Sequence, residues 1–546
     1  MKDAGDGGDD VVLSVVIPVY NQARSIAENV RVIRDSIAAG LGSATELIVV
    51  SDGSIDDTQE QALAASDDHT RVLHYDRNMG KGYAVKIGAL EARGRWIAYV
   101  DADLDLDPAL LPAYVARAEE AKLDFAIGSK RHPDAQVSYP PSRRAASWLF
   151  QQIVRVLFRL DVRDTQVGIK VFRREVAEQV LPLLLVKRFA FDIELLAVSR
   201  ALGFTRIEEQ PVRLDYRFSG SGVRSLAVLS ALLDTLAVFY RLRILRTYQR
   251  KSELVGRFGW TRPRGYEPLV SVRLAPPGAI NELHYPSIEL VDVVVSGAEP
   301  TPYDVAHRAT GDVVAVFRPG VVPTANWLAA TVPFLLRPEI GAVVTPSVAP
   351  SRGDVRQRVA AAVRESRLGG GSQYFRFMPG NLRVVKDFPA DALVARRDVL
   401  HELEPGILLE HVVSELTARG LDVLYTPESV VASPAPALVR PHLQAVAAYG
   451  GSTSQALRRR HIGAVRPGTV ALGLGLPWLL LGWLPGLILP GVLRAWAVSV
   501  AVYALLLVGV GVVAALKFRS VVVGLVTVPT LVATHVAYLV GLIRGR

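Results

Sequence analysis

Two carboxylates one residue apart, Asp101 and Asp103, directly follow the apolar run Ile97-Ala98-Tyr99-Val100. That run is too short and too continuous for an amphipathic helix, and it predicts a buried parallel strand. Open α/β sheets bind ligands just beyond the carboxyl ends of their strands. An Asp-x-Asp placed there can aim hard oxygen ligands at a divalent cation that already carries phosphates. The plainer alternative is that these acids cap a following helix, and one such triplet in 546 residues does not decide the matter.

The elements that must position the triplet lie upstream. Val11 to Val19 predicts a first buried strand, ending at Pro18-Val19-Tyr20-Asn21. Ile26, Val30, Ile33 and Ile37 then recur at helical spacing. A second strand, Glu46 to Val50, stops at Ser51-Asp52-Gly53-Ser54, and a third, Arg71 to Tyr75, leads to Asn78-Met79-Gly80-Lys81-Gly82. Strands alternating with helices imply a parallel sheet of the nucleotide-binding type, with its polar strand ends gathered on one face. Asp107 before Pro108 is a natural helix N-cap and is read as structural.

Composition narrows the class. The chain is 50% hydrophobic and 21% charged, with 62 Lys and Arg, a net charge of +9 and no cysteine. A disulfide framework, a thiolate zinc site and a cysteine nucleophile are therefore excluded. The first ten residues are acidic and Gly-rich, lack signal-peptide character and are expected to form a disordered tail. The apolar excess collects after Thr469, in blocks 469–492, 495–516 and 520–543 that each reach the length of a membrane span. Pro477, Pro485 and Pro490 make the first block irregular. The basic residues Arg458, Arg459, Arg460, Arg466, Lys517 and Arg519 predict three spans in a cell membrane with both globular parts on the cytoplasmic side. Ser225 to Tyr240, apolar but broken by Asp234 and followed by Arg241, Arg243 and Arg246, predicts an interfacial helix on anionic lipid.

In order, Ile17-Pro18-Val19-Tyr20-Asn21, Ser51-Asp52-Gly53-Ser54, Asn78 to Gly82 and Asp101-Ala102-Asp103 resemble a family 2 glycosyltransferase of the GT-A, Rossmann-like fold. Ile127-Gly128-Ser129-Lys130-Arg131, Arg163 to Phe172 and Phe189 to Leu196 narrow the resemblance to the dolichyl- and polyprenyl-phosphate sugar synthases, nearest the glucosyl type. It spans about Val11 to Arg250, with one departure at Lys130-Arg131, where a single Arg after Gly-Ser is usual.

The resemblance implies roles. Asp103 would hold Mg2+ or Mn2+, with Asp101 at the metal or the ribose, neutralising a diphosphate leaving group. Asp52, beside Gly53, would meet the base, which suits uracil and guanine equally, while Pro18, Tyr20 and Asn21 wall the base or ribose. Lys81 would be a donor-site cation; a solvated loop Lys is the alternative. An acceptor phosphate needs cations, and Lys130, Arg131 and Arg143, with Ser147 one turn on, are the candidates. A phosphate monoester, with its second pKa near 6, needs no general base. Asp164 and Gln166 are accordingly active-site residues that orient the acceptor side or the sugar. Asp192, Glu194, Ser219 and Ser221 are weaker candidates, the first two being equally well explained as acids at a helix start.

After a Pro-rich linker the chain reads as a worn copy. Gly94 and Gly311, and Gly203 and Gly420, lie in similar local sequences at one offset (311 − 94 = 217; 420 − 203 = 217). Asp101-Ala102-Asp103 becomes Arg318-Pro319-Gly320, and Ser51-Asp52-Gly53 becomes Ser296-Gly297-Ala298. Gly369-Gly370-Gly371-Ser372 has no assigned purpose. The expected architecture is a catalytic α/β domain over 11–222, an interfacial helix and linker over 223–267, a degenerate GT-A-like α/β domain over 268–435, a basic linker over 436–468 and transmembrane helices over 469–543. The function expected is inverting transfer of glucose or mannose from a UDP- or GDP-sugar to polyprenyl or dolichyl phosphate, with no nucleic-acid partner. The alternatives are elongation of a lipid-linked or cell-envelope glycan, or a non-catalytic membrane scaffold.

Overall fold

The structure is a computed structural model that describes residues 11–137, 141–188, 190–214, 225–258, 267–273, 283, 285–291, 300–350, 353–458 and 467–544. The strands of its first part are β1 (Leu13–Val19), β2 (Thr45–Asp52), β3 (Thr70–Tyr75), β4 (Trp96–Val100), β5 (Phe125–Ser129), β6 (Gln136–Val137), β7 (Ile169–Arg173), β8 (Ile207–Pro211) and β9 (Arg213–Leu214). Its second part has β10 (Val270–Arg273), β11 (Ile288–Leu290), β12 (Val313–Phe317), β13 (Val322–Pro323), β14 (Ile340–Val344), β15 (Ser347–Val348), β16 (Arg383–Val385), β17 (Ala392–Arg396), β18 (Asp422–Tyr425) and β19 (Val431–Ala432).

Continuous β-branched and apolar runs make strands that bury both faces, and β2, β4 and β5 are buried at every residue. The first sheet runs β3-β2-β1-β4-β7-β5-β8. Only β7 lies antiparallel to its neighbours. Helix Ile26–Leu41 turns Ile26, Val30, Ile33 and Ile37 onto one face of this sheet. The second sheet runs β11-β10-β12-β17-β14-β18-β16. Its β11-β10-β12-β17-β14-β18 repeats the order β2-β1-β4-β7-β5-β8, with the same strand reversed. β4 and β12 lie 217 positions apart at both ends (313 − 96 and 317 − 100).

Polar clips recur as well. Ser14 Oγ donates to Glu46 Oε1 (2.6 Å) and accepts from Gly94 N (2.7 Å), while Arg93 N also reaches Glu46 (2.6 Å). In the second sheet Ser271 Oγ donates to Glu289 Oε2 (2.5 Å) and accepts from Gly311 N (2.9 Å), while Thr310 N reaches Glu289 (3.1 Å). Arg174 donates to Ala92 O (3.1 Å) and Arg397 to Ala309 O (2.9 Å).

Helices Pro490–Lys517 and Val521–Arg544 are long and apolar enough to cross a membrane. The first apolar block differs from an unbroken span. It forms Pro467–Leu481 and the short Trp483–Gly486, broken at Gly482, whose Cβ position is taken by Trp478 O at 2.5 Å. Residues 440–458, expected as linker, form a helix packed along Val521–Arg544. The two backbones approach closely at glycine, with Gly541 against Ala447 O and Gly450 against Tyr538 O.

The two parts share an ionic junction. Arg77 pairs through two nitrogens with Glu365, which caps helix Val355–Arg364 and also binds Lys517 Nζ at 2.9 Å. Tyr83 Oη donates to Pro427 O (3.0 Å) and Asn326 to Glu91 (3.1 Å).

Candidate active site

At the carboxyl end of β4, Asp101 pairs with Lys81 at 2.5 Å. Lys81 opens helix Lys81–Glu91 and sits over the Tyr99 ring at 5.6 Å. Burial works against its charge, but Asp101, Asp192 and Asp103 outweigh burial and hold its pKa above the usual lysine value. Asp103 is exposed and accepts from Asp105 N (3.2 Å). Desolvation and then the neighbouring Asp101 charge push its carboxyl up.

The glycines around this pair are required by space. A Cβ on Gly168 would stand 1.8 Å from Asp101 Oδ2. Gly53 has φ +64°, and its Cβ would meet Arg77 C at 2.1 Å. Gly80 has φ +103°, and its Cβ would meet Lys187 O at 2.3 Å.

Asp52, expected at the base, is buried and holds its own chain. Met79 N (2.7 Å), Gly80 N (2.9 Å), Asn78 Nδ2 (3.0 Å) and Tyr75 Oη (2.8 Å) all donate to its carboxylate. Burial raises its pKa to about 6 against those bonds. The loop that presents Lys81 is therefore laced onto the end of β2. Asn21, at φ +53°, accepts from Ile55 N (3.0 Å) and donates from its backbone to Ser54 Oγ (3.1 Å), tying the end of β1 to the same turn. Pro18 and Tyr20 lie half-buried at the end of β1.

Behind the pair lies a buried polar group built on Lys170, a residue to which the sequence motifs assign no role. Lys170 on β7 is fully buried, donating to Asp192 Oδ1 (2.7 Å) and Val167 O (2.6 Å). Tyr99 donates to the same Asp192 oxygen. A lysine inside the apolar run Ile169 to Phe172 was the available signal, because a buried charge must be paired. Burial would raise the Asp192 carboxyl, but Lys170, Lys81 and Tyr99 hold it below the usual range. Glu194 is fully buried and braces a turn, accepting from Leu185 N (2.9 Å), Val186 N (2.7 Å) and Arg241 (3.3 Å). Both acids are thus more than helix-start charges.

On the other side of β7, Asp164 accepts from Lys130 N (3.3 Å) and Gln166 N (3.3 Å), and its own N–H donates to Glu209 (2.9 Å). Gln166 is exposed, and Arg131 N donates to Ser129 Oγ (3.2 Å). Arg143 and Ser147 lie on helix Pro141–Phe158, their side chains outside the described residues. Ser219, Ser221 and the Ser296-Gly297-Ala298 stretch are outside the described residues altogether.

Among the described residues no group of three His, Cys, Asp or Glu is arranged to hold a metal alone. Two acids suit Mg2+ nonetheless, since that ion is commonly held by one or two carboxylates and completes its shell with substrate phosphates and water. The Asp101 carboxylate lies in the space that Gly168 leaves at the strand end, and Asp103 is exposed beside it, an arrangement that fits that use.

The chain matches known proteins over this region. Residues 14–181 match the family model described as Glycosyl transferase family 2. Glycosyltransferase AglD of Haloferax volcanii is 38% identical over 205 residues, 37% of this chain and 33% of that protein. The dolichyl-phosphate beta-glucosyltransferase of Drosophila melanogaster is 38% identical over 206 residues, 35% of this chain and 63% of its own length. The match thus spans less than two thirds of either relative. A solved structure of glucosyl-3-phosphoglycerate synthase from Mycobacterium tuberculosis with UDP overlaps 42% of this chain and 80% of its own, at 20% identity and a TM-score of 0.34. Over residues 14–181, then, this chain is similar to family 2 glycosyltransferases.

Proposed function

We propose that this protein transfers glucose or mannose, with inversion, from a UDP- or GDP-sugar to polyprenyl or dolichyl phosphate at a membrane surface. The observation that carries this reading is the Lys81–Asp101 pair at the end of β4, with Asp103 open beside it. Such a group fits a diphosphate leaving group, whose developing charge must be met by preorganised cations. Mg2+ or Mn2+ held by Asp101 and Asp103 would supply the further neutralising charge. Lys81 is kept protonated by three carboxylates, so it offers a fixed cation to the donor phosphates. Asp52 fixes the loop bearing Lys81, and one of its oxygens would also be shared with the base. On the acceptor side Asp164 shapes the turn at Lys130, with both its oxygens already accepting backbone N–H bonds. It is read as a positioning residue, and Lys130, Arg131 and Arg143 as phosphate contacts. The relatives named as dolichyl-phosphate glucosyltransferases support this acceptor class.

Membrane attachment follows the same reading. Leu233, Leu236, Tyr240 and Ile244 leave an apolar face exposed beside Arg243, and Trp148 and Val156 do likewise on the neighbouring helix. With the two apolar C-terminal helices they would seat the catalytic domain on lipid. The connection Lys517 to Ser520 is held against Glu365, which supports its lying on the same side as the globular parts; that side is cytoplasmic on the basic-residue reading of the sequence. The repeated strand order and polar clips support the reading of the second part as a degenerate GT-A-like domain.

The test is a donor screen on the full chain in nanodiscs containing polyprenyl phosphate. One labelled UDP- or GDP-hexose should yield a lipid-phosphate sugar, and Asp103→Asn should lower turnover by roughly a thousandfold. Undiminished transfer by that variant, or labelling of glycan acceptors alone, would overturn the reading.

A further inference from the structure

The carboxyl end of β12 carries a cationic cluster that the glycosyltransferase reading does not use. Arg318 follows β12, and its guanidinium pairs with Asp391 Oδ1 at 3.1 Å. Asp391 is buried, and Ser347 as well as Arg318 bears on its carboxylate. Arg364 stacks on the Phe377 ring at 3.9 Å, and Arg376 lies over the same ring at 5.1 Å and over Phe388 at 5.5 Å. Arg376 and Arg364 both act on the Asp391 charge, as Arg318 does.

The glycine run explains how the two stacked arginines meet. A Cβ on Gly369 would stand 2.3 Å from Val363 O, and one on Gly370 would stand 2.3 Å from Arg364 O. Without side chains there, the chain folds back over the end of helix Val355–Arg364 and brings Arg376 beside Arg364.

We propose that Arg318, Arg364 and Arg376, set around Asp391, form a second anion site that binds a phosphate-bearing ligand without a metal. The site goes beyond the transfer reaction and does not depend on it. Three guanidiniums stand against one buried carboxylate, and the cluster stays positive with the exposed Asp387 counted. The neighbouring Glu365 is already committed to Arg77 and Lys517. Burial, resisted by Asp391 and helped by Arg376, pushes Arg364 down to about 10. Planar guanidiniums held by aromatic rings match phosphate oxygens in pairs. The place is also where open α/β sheets take ligands.

Apolar surroundings favour a lipid phosphate over a soluble one. Val363 packs with Leu507 and Leu531 of the two long apolar helices, and Val498, Val502 and Leu505 of the first of them are exposed. Arg318, half exposed, leaves the cluster open to solvent. Inorganic diphosphate shares the chemistry and serves as the soluble arm of the test.

The experiment measures binding of polyprenyl phosphate to the full chain in phosphatidylcholine nanodiscs with EDTA. It uses a Lys130→Gln/Arg131→Gln background, which weakens the acceptor contacts proposed for the first domain. Binding should persist there, and adding Arg364→Gln/Arg376→Gln should weaken it about tenfold or more. Arg318→Gln, at a half-exposed position that spares the ring stacks, should weaken it about threefold, the value expected for a solvent-screened contact. Competition by inorganic diphosphate assigns a soluble anion, and its absence assigns the lipid head group; both support an anion site. No binding in EDTA, or the same affinity in the Arg364/Arg376 and Arg318 variants as in their background, would overturn it. Loss of sugar transfer by Asp103→Asn bears only on the first domain, so the two readings fail separately.

Discussion

Asp101 directly follows β4 and Arg318 directly follows β12, and the same backbone bond recurs around them. Asp101 N donates to Gly168 O (3.2 Å), and Arg318 N donates to Asp391 O (2.9 Å). In the first sheet the acid stands on the central strand and glycine faces it. In the second sheet the arginine stands on the central strand, and the acid has moved to the neighbour. The strand pair and its backbone bond are needed by both folds, whereas the sign of the charge is needed by neither. If both proposals hold, the residues at these two positions set whether the strand end holds a metal ion or binds an anion directly.

The comparison breaks most severely at Gly168. Giving it the smallest side chain, Gly168→Ala, places a Cβ 1.8 Å from Asp101 Oδ2 and must move that carboxylate. Sugar transfer should fall about a hundredfold, the usual consequence of a misplaced catalytic group, while the melting temperature shifts little. Unchanged transfer would mean that Asp101 does not need its present place.

A second variant asks whether the two sheets act as one body. Glu365 joins Arg77, one residue before the loop that Asp52 holds, to Lys517. Glu365→Gln leaves two cations unpaired and should cost about 3 kcal/mol of stability, as breaking a buried pair does. It should also weaken donor binding, since Arg77 leads directly into Asn78-Met79-Gly80-Lys81. Calorimetric titration with nucleotide sugar checks the second effect. A stability loss with donor affinity intact would leave the junction purely structural.

Much of the first sheet and its site was legible because short apolar runs ended in acids, glycines or Lys. The Lys81–Asp101 pair joins two of those motifs. What stayed hidden depends on partners distant in sequence: Arg77 and Glu365 are 288 residues apart, and neither belongs to a motif. The helix Arg440–Arg458 is hidden within a stretch whose basic residues read as linker, because it packs through Gly450 and Ala447, small residues that add little apolar signal. The glycine run at 369–371 was visible, but its use depends on Val363 and Arg364 carbonyls that only the fold brings near.

The polar clips allow a milder test, with equal effects expected on both sides. Ser14→Ala and Ser271→Ala each remove a buried hydroxyl that joins a glutamate to a backbone N–H. Each should cost about 1–3 kcal/mol, measured by denaturant unfolding. Markedly unequal costs would show that the second sheet keeps the pattern without relying on it.

The smallest effect belongs to Asp52, which has no acidic counterpart described in the second sheet. Its folded pKa is raised from 3.8 to about 6, first by burial, so the folded chain holds this proton more tightly than the unfolded chain. The stability gained from that proton is fully present below 3.8 and is lost as pH rises through about 6. Asp52→Asn cannot titrate, so the stability difference between wild type and variant should change between those values and be flat above them. Donor affinity should move the opposite way. Below about 6 a protonated Asp52 accepts fewer of the Met79 and Gly80 N–H bonds, and the loop bearing Lys81 loosens. Wild-type affinity should therefore fall as pH drops through 6, while the variant stays weak throughout. A wild-type affinity that is flat across this window would show that the loop is held by its glycines and Lys187 O rather than by the Asp52 charge.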